Sequence, residues 1–177
     1  MNLISELPLW ASKEVLRVVV EVPRGSALKL KYNPELELFE WSRPLSAGVC
    51  FPYDYGFIPQ TLGGDDDALD AIVLAEVGSY PGVIVPARVL GALRMTQQRE
   101  GQARKRNDRF IVVPVNEHRH AELNNVSELP ARVRDELEAF FSASLMLTGK
   151  QVEFHGYADA DEALGLITEA HAAFTAA

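Results

Sequence analysis

The residues with the clearest chemical potential form a short acidic cluster, Asp65, Asp66, Asp67 and Asp70, in the sequence GGDDDALDAIVL. Two carboxylates about 6 Å apart repel by roughly 0.7 kcal/mol in water and by roughly 3 kcal/mol at a partly buried site. A solvated acidic turn is the simplest interpretation of such a run. Here the cluster leads directly into the apolar sequence AIVLAEV, which places it at the mouth of a buried strand. Oxygen ligands of this kind suit Mg²⁺ or Mn²⁺.

A calcium-binding EF-hand is the main alternative use of these acids. Asp65, Asp67 and Glu76 have the spacing of the first, third and last ligands of an EF-hand loop. The glycine that the middle of the loop requires is replaced by Asp70, and the exiting helix would have to form from the strand-like AIVLAEV. The sequence also lacks GxxxxGK[ST] and HExxH motifs. We therefore set these site types aside.

Carboxylates that hold metal ions, together with nearby basic side chains, commonly transfer a phosphoryl group to water. The metals bridge phosphate oxygens and acidify a water, while cations absorb the negative charge of the leaving group. Lys29 and Arg43 are the candidate basic partners. Either one alone is more typical of an exposed surface charge, so this hypothesis requires that the fold bring them to the acidic cluster.

The elements that must position these residues are mainly strands. Residues 15–22, VLRVVVEV, are β-branched and alternate, which predicts a strand with its leucine-bearing face toward the core. Turn residues separate further strand-like runs: ALKLKYN, LELFEW, AIVLAEV, GVIVPARVLGALRM, RFIVVPV and QVEFHGY. Many short strands favour a barrel or sandwich. Two helices are expected near the C-terminal end, one capped by Ser127 with Pro130 in its first turn and one near residues 160–174.

Composition limits the possible classes of protein. A chain of 177 residues with 47% hydrophobic residues suits a single soluble domain, residues 1–177. The formal net charge of -8 argues against nucleic acid as a partner. With Cys50 as the single cysteine, no leader-like start and no apolar run long enough for a bilayer, we predict a cytoplasmic protein with no membrane association.

The order and spacing of several segments resemble the soluble family I inorganic pyrophosphatases over nearly the whole chain. These segments are EVPRGSALK, Arg43, FPYDYGFIPQTL and then D-D-D-A-L-D, where Ala68 replaces the proline of the family signature. The resemblance implies a mainly β fold with some α, a five-stranded OB-like β-barrel with two C-terminal helices packed on it. It also implies a homo-oligomer, a hexamer in many bacterial members, and Mg-dependent hydrolysis of pyrophosphate to two phosphates.

The resemblance also assigns roles to individual positions. The expected site residues are Asp65, Asp70 and Glu21 for the metal, Asp67 and Tyr55 for catalysis, and Lys29, Arg43 and Arg109 for the substrate. In the family, the residue matching Asp67 orients or deprotonates the attacking water. Mg²⁺ is the expected metal, with Mn²⁺ as a second possibility.

Six further positions at the expected site depart from the family pattern. They are Lys31, Phe51, Gln97, Asn107, Ser144 and Leu145, where the family has Glu, Tyr, Asp, Asp, Tyr and Lys. Three carboxylates are thereby lost, and one has become a cation, so the site should hold fewer divalent ions. Asp108 is adjacent to Asn107, but a one-residue shift along a strand points its side chain to the opposite face unless a bulge intervenes.

Two functional hypotheses follow. The first is an inorganic diphosphatase-type hydrolase of impaired or altered activity. The second is a noncatalytic or altered-specificity homologue that binds a phosphorylated ligand or partners an active subunit. The basic loop at residues 99–109 is typical of a solvated hairpin tip, although in this setting it could also bind a phosphorylated ligand.

Overall fold

A computed structural model describes residues 1–176 of the chain. Strands account for most of the regular structure, and their bounds are β1 (Trp10–Ser12), β2 (Val15–Val22), β3 (Leu28–Asn33), β4 (Leu38–Pro44), β5 (Asp54–Ile58), β6 (Leu69–Val73), β7 (Ile84–Arg99), β8 (Lys105–Arg106), β9 (Arg109–Pro114) and β10 (Lys150–Ala158). The helices are α1 (Ala131–Leu145) and α2 (Ala160–Ala176), with a short 3-10 turn at Val126–Glu128.

Five of the strands close into a ring. The pairing runs from β2 to β5, β6, β9 and β7, and β7 pairs back onto β2. The β6–β9 pairing is parallel, with Asp70 beside Arg109, whereas the other pairings in the ring are antiparallel. The ring and the two C-terminal helices confirm the mainly β, OB-like fold that was predicted.

Strand β2 shows why the ring brings an acid into the interior. Its predicted core face is buried, since Leu16, Val18, Val20 and Val22 are inaccessible. The opposite face of its second half is also buried, because β3 lies over it and the backbone N–H of Tyr32 donates to Glu21 Oε1 at 2.7 Å. Alternation alone does not predict this second layer. Because β3 covers this face, Glu21 is buried in the interior.

The hairpin of β3 and β4 forms a separate two-stranded sheet. Lys29 lies opposite Arg43 in this hairpin, and a register shift follows between Lys29 and Leu30. Lys29 and Lys31 nevertheless line the same cavity, as their alternation in the sequence predicts. This small sheet therefore supplies two of the basic side chains of the pocket described below.

Both predicted C-terminal helices are present, but the first begins later than its sequence signals indicate. Asn125 caps the 3-10 turn by accepting from the Ser127 N–H, and the Glu128 carboxylate accepts from the Asn125 N–H in return. Pro130 precedes α1 rather than lying in its first turn. The capping residues therefore serve the short turn, and α1 packs Leu137, Phe140 and Phe141 into the core. No helix within residues 1–176 is long and apolar enough to cross a membrane.

The close approach of β2 and β5 at Gly56 gives a direct test of this packing. A β-carbon on Gly56 would lie 1.9 Å from the carbonyl oxygen of Val19, so Gly56→Ala must push the two strands apart. We expect this variant to lower the free energy of unfolding by at least about 2 kcal/mol. As a control, Gly165→Ala in α2 has no neighbour within 4 Å and should raise it by up to about 1 kcal/mol. Urea denaturation measures both, and an unchanged value for Gly56→Ala would contradict the packing.

Candidate active site

The acidic cluster folds as a tight turn ahead of β6. The Gly63 N–H donates to the Asp67 carbonyl at 2.8 Å, and Asp66 takes a left-handed conformation that Asp tolerates better than most residues. As a result Asp65, Asp67 and Asp70 all line one cavity, while Asp66 pairs with Lys105 at 2.6 Å. The predicted convergence of the three acids is present in the structure.

The cavity has a volume of about 110 Å³ and is lined by equal numbers of acidic and basic side chains. The acids are Glu21, Asp65, Asp67 and Asp70, and the bases are Lys29, Lys31, Arg109 and Lys150. Gln97, Asn107 and Leu145, three of the positions that depart from the family pattern, also face it. The cavity is therefore a mixed-charge pocket and not a purely acidic one.

Each of the three converging aspartates is already held by a nitrogen donor of the protein. Lys31 Nζ lies 3.1 and 3.2 Å from the two carboxylate oxygens of Asp67. Asn107 Nδ2 donates to Asp65 Oδ2 at 2.6 Å, and Arg109 Nη1 lies 2.5 Å from Asp70 Oδ2. The repulsion within the cluster is offset by these three contacts.

Arg109 is the most deeply buried of the basic residues in the pocket, with 4% of its surface exposed. Its guanidinium packs 5.8 Å from the ring centre of Tyr55 and 5.3 Å from that of Phe141. Nη1 also donates to the Asn107 carbonyl at 2.8 Å. Nε is buried and has no hydrogen-bond partner within residues 1–176. A buried donor of this kind normally requires a water or a ligand oxygen.

Three further cations near the pocket have no carboxylate partner within residues 1–176. Lys29 lies 5.9 Å from the Tyr55 ring centre, and burial lowers the pKa of its ammonium. Arg43 donates only to the Pro44 carbonyl, at 3.4 Å. Lys150 donates to the neutral Gln97 Oε1 at 3.1 Å, and burial lowers its pKa too. Their charge is therefore available to an anionic ligand.

Lys150 is the pocket residue that the sequence analysis missed. It begins β10, which pairs with the end of β7, and it reaches Gln97 on that strand. The available signal was the alternating run KQVEF, which puts Lys150 at the edge of a strand, but only the pairing with β7 identifies its neighbours. Lys150 therefore joins the pocket through a contact between distant parts of the chain.

Glu21 is a buried acid of the pocket, and the only hydrogen bond of its carboxyl within residues 1–176 comes from a backbone N–H. Burial raises the pKa of its carboxyl from 4.5 to about 7, and the hydrogen bond from the Tyr32 N–H offsets only part of this effect. Burial likewise raises the pKa of Tyr55 well above its usual value. Near neutral pH Glu21 is therefore partly protonated, and Tyr55 keeps its hydroxyl proton.

The remaining departures from the family pattern fall in packed positions. Phe51 lies 5.4 Å from Tyr55 and 5.0 Å from Phe140, measured between ring centres. Ser144 is buried and donates to the Phe141 carbonyl at 3.2 Å. Asp108 accepts from the Met95 N–H and pairs with Arg106, and it does not line the pocket. The side chains of Asp108 and Asn107 therefore point in different directions, as alternation along a strand predicts.

The basic loop is largely neutralised by the protein's own acids. Arg104 pairs with Glu153 at 2.7 Å, Lys105 with Asp66 at 2.6 Å and Arg106 with Asp108 at 2.6 Å. Two of its residues form β8, which pairs with β7. These contacts favour the structural interpretation of this loop over a role in holding a ligand.

The chemistry of the donor set tests whether the pocket suits a divalent metal. The carboxylates of Asp65, Asp67 and Asp70 are the hard oxygen ligands that such an ion takes, so this part of the lining suits a divalent metal. The same lining also contains Lys31 and Lys150, whose ammonium groups repel a divalent cation. Within residues 1–176, no three acidic, His or Cys side chains are arranged as a ready metal site. A metal ion at Asp67 would compete with Lys31, which contacts both oxygens of that carboxylate.

The family model of inorganic pyrophosphatase matches residues 18–175, and the chain belongs to this family. An inorganic pyrophosphatase of Synechocystis is 31% identical over 94% of this chain and 95% of its own length. One of Thermus thermophilus is 37% identical over 85% of each chain. The crystal structure of the Thermus thermophilus enzyme has a TM-score of 0.91 at 34% identity and covers 99% of both chains. An inorganic pyrophosphatase structure from Helicobacter pylori has a TM-score of 0.87 at 27% identity. Members of the family require a divalent metal ion.

The pKa of Glu21 predicts how stability depends on pH. Its folded-state pKa lies above its ordinary value of 4.5, so the folded protein holds this proton more tightly than the unfolded chain does. The contribution of this bound proton to the free energy of unfolding is fully present below pH 4.5 and is lost as the pH rises to about 7. We expect the free energy of unfolding of the wild type, relative to that of Glu21→Gln, to fall by about 3 kcal/mol over this range. Denaturation in EDTA at several pH values measures it; a constant difference would contradict it.

The Arg109–Asp70 pair predicts strong coupling between two substitutions. Arg109→Met leaves Asp70 without its cation and should lower the free energy of unfolding by about 3 kcal/mol. Adding Asp70→Asn to that variant removes the uncompensated charge, so the double variant should lose about 2 kcal/mol less than the sum of the single variants. A double-mutant cycle in urea measures the coupling, and simple additivity of the two losses would contradict a direct ion pair.

Proposed function

We propose that this chain hydrolyses inorganic pyrophosphate to two phosphates in the mixed-charge pocket. The observation that carries the proposal is the convergence of Asp65, Asp67 and Asp70 with Lys29 in one cavity, in a chain of the inorganic pyrophosphatase family. Carboxylates beside cations are what the attack of water on a phosphoanhydride requires, because water must be activated while the charge on the phosphates is neutralised.

The proposed roles of the residues follow from their contacts. Lys29 and Arg43, which have no carboxylate partner in residues 1–176, bind phosphate oxygens. Arg109, which lines the pocket, presents its positive charge to the substrate while Nη1 remains on Asp70. Asp67 orients the attacking water and takes its proton as the water oxygen bonds to one phosphorus. The bond from that phosphorus to the bridging oxygen breaks, and the bridging oxygen leaves with the second phosphate. Tyr55 lies against Lys29 and Arg109 and holds them in place.

Asp65, Asp70 and Glu21 are the residues proposed to hold a divalent metal, with Mg²⁺ first and Mn²⁺ second. When bound, the ion supplies a Lewis acid that lowers the pKa of water and withdraws charge from phosphate oxygens. The protonated fraction of Glu21 near neutral pH weakens its use as a ligand, since the neutral carboxyl does not attract the ion.

Turnover is proposed to be lower than that of a pocket with the complete family pattern. Ser144 and Leu145 provide no second phosphate clamp, and Phe51 provides no hydroxyl. The loss of one transition-state donor typically costs on the order of 10² in rate. The alternative, a noncatalytic or altered-specificity homologue, is favoured by a separate observation, the occupation of Asp67 by Lys31. A homo-oligomer, hexameric as in the family, and a cytoplasmic location remain predictions of the sequence.

Release of phosphate from pyrophosphate tests the proposal. We expect measurable release with Mg²⁺ and with Mn²⁺, and a loss of about 10² or more in Asp67→Asn, because the amide cannot accept the proton of water. Asp135→Asn, at an exposed position of α1, makes the same chemical change away from the pocket and should leave the rate unchanged. A wild-type rate equal to that of Asp67→Asn at every metal concentration would favour the noncatalytic alternative.

A further inference from the structure

The pocket carries its own cations at the places where its acids would otherwise need an added counter-ion. Lys31 donates to both carboxylate oxygens of Asp67, and Arg109 forms an ion pair with Asp70. A third acid, Asp65, is engaged by the neutral amide of Asn107. Once these contacts are made, the positive charge of Lys29 and Lys150 is left without a carboxylate partner in residues 1–176.

We propose that this pocket binds pyrophosphate directly through its lysine and arginine side chains, with the Lys31 ammonium in place of a metal ion that would escort the substrate. This inference rests on the proposed function, because it concerns the same ligand in the same pocket. The ligand class is a compact phosphate-type oxyanion free of divalent metal. Lys31 is the residue that determines whether the anion arrives with or without a metal.

The position of Lys31 supports a role toward both an acid and an anion. It alternates with Lys29 on β3, so both side chains reach the same pocket. Its side chain is 56% exposed, and only part of its donor capacity is used on Asp67, because an ammonium has three N–H groups. The remaining donor capacity is therefore available to a phosphate oxygen within the same cavity.

The unpartnered donor of Arg109 points to the same conclusion independently. Arg109 lines the pocket, and its Nε is buried with no hydrogen-bond partner in residues 1–176. A phosphate-type oxyanion supplies several acceptor oxygens at once and would satisfy this group. A divalent cation would repel it. The guanidinium is fixed by Asp70 and two aromatic rings, so it cannot turn away.

Lys150 is a third cation of the pocket that favours an anionic ligand. The only hydrogen-bond partner of its ammonium within residues 1–176 is the neutral oxygen of Gln97, which leaves the positive charge uncompensated. A carboxylate at position 97 would pair with this ammonium and withdraw it from the ligand. The neutral side chain holds Lys150 in the pocket and leaves its charge for an anion.

Binding measured without metal tests this inference. We expect calorimetry in EDTA to detect pyrophosphate binding to the wild type, and Lys31→Glu to weaken that binding by about tenfold or more, because it replaces an ammonium with a carboxylate beside Asp67 and Asp70. The same substitution should strengthen the binding of Mn²⁺ alone, measured by electron paramagnetic resonance, by about tenfold, because it adds an oxygen ligand. Lys13→Glu is the matched control, since its side chain is 93% exposed and its charge change is identical.

Each outcome separates the two proposals. Absence of pyrophosphate binding to the wild type in EDTA, or equal binding by Lys31→Glu and Lys13→Glu, would overturn the inference even if the protein hydrolyses pyrophosphate with metal. Absence of phosphate release, with metal-free binding intact, would overturn the proposed hydrolysis and leave the inference standing. If Lys31→Glu does not fold, as judged by circular dichroism, Lys31→Gln removes the same charge and should weaken pyrophosphate binding in EDTA.

Discussion

The site depends on the buried ion pair between Arg109 and Asp70. The two residues lie side by side in the parallel pairing of β6 with β9, so the sheet fixes their separation before any ligand binds. Arg109 is also held between Tyr55 and Phe141, which belong to β5 and α1. One guanidinium thus links the acidic turn, the ring of strands and a helix. Its burial makes it a permanent charge of the pocket.

A permanent cation changes what the neighbouring acids can do. In a pocket of carboxylates alone, charge balance depends on ions taken from solution, so it varies with their concentration. Here Lys31 and Arg109 provide much of that balance from within the chain, and the neutral amide of Asn107 adds a hydrogen bond to Asp65. The proposed preference of the pocket for an anion rests on this internal balance. Membership in a family does not exclude such a preference, because function is determined by the site and not by the fold.

Much of the fold and part of the site could be predicted from local patterns. The strand at β2 follows from its β-branched alternation, and the shared face of Lys29 and Lys31 follows from their spacing on one strand. The partners of the acids could not be predicted in this way. Lys31 and Asp67 are 36 residues apart, and Asn107 and Asp65 are 42 apart, so only the folded chain brings them together.

The hairpin of β3 and β4 has an evolutionary consequence. It is a sheet of its own, whereas Asp70 and Arg109 belong to the strands of the ring, and the other acids lie on β2 or on the turn ahead of β6. A substitution at position 31 therefore changes the charge of one wall while the backbone ladder that holds the aspartates stays intact. The charge of the pocket can thus differ between relatives at position 31 without any change in the ring strands that hold Asp70 and Arg109.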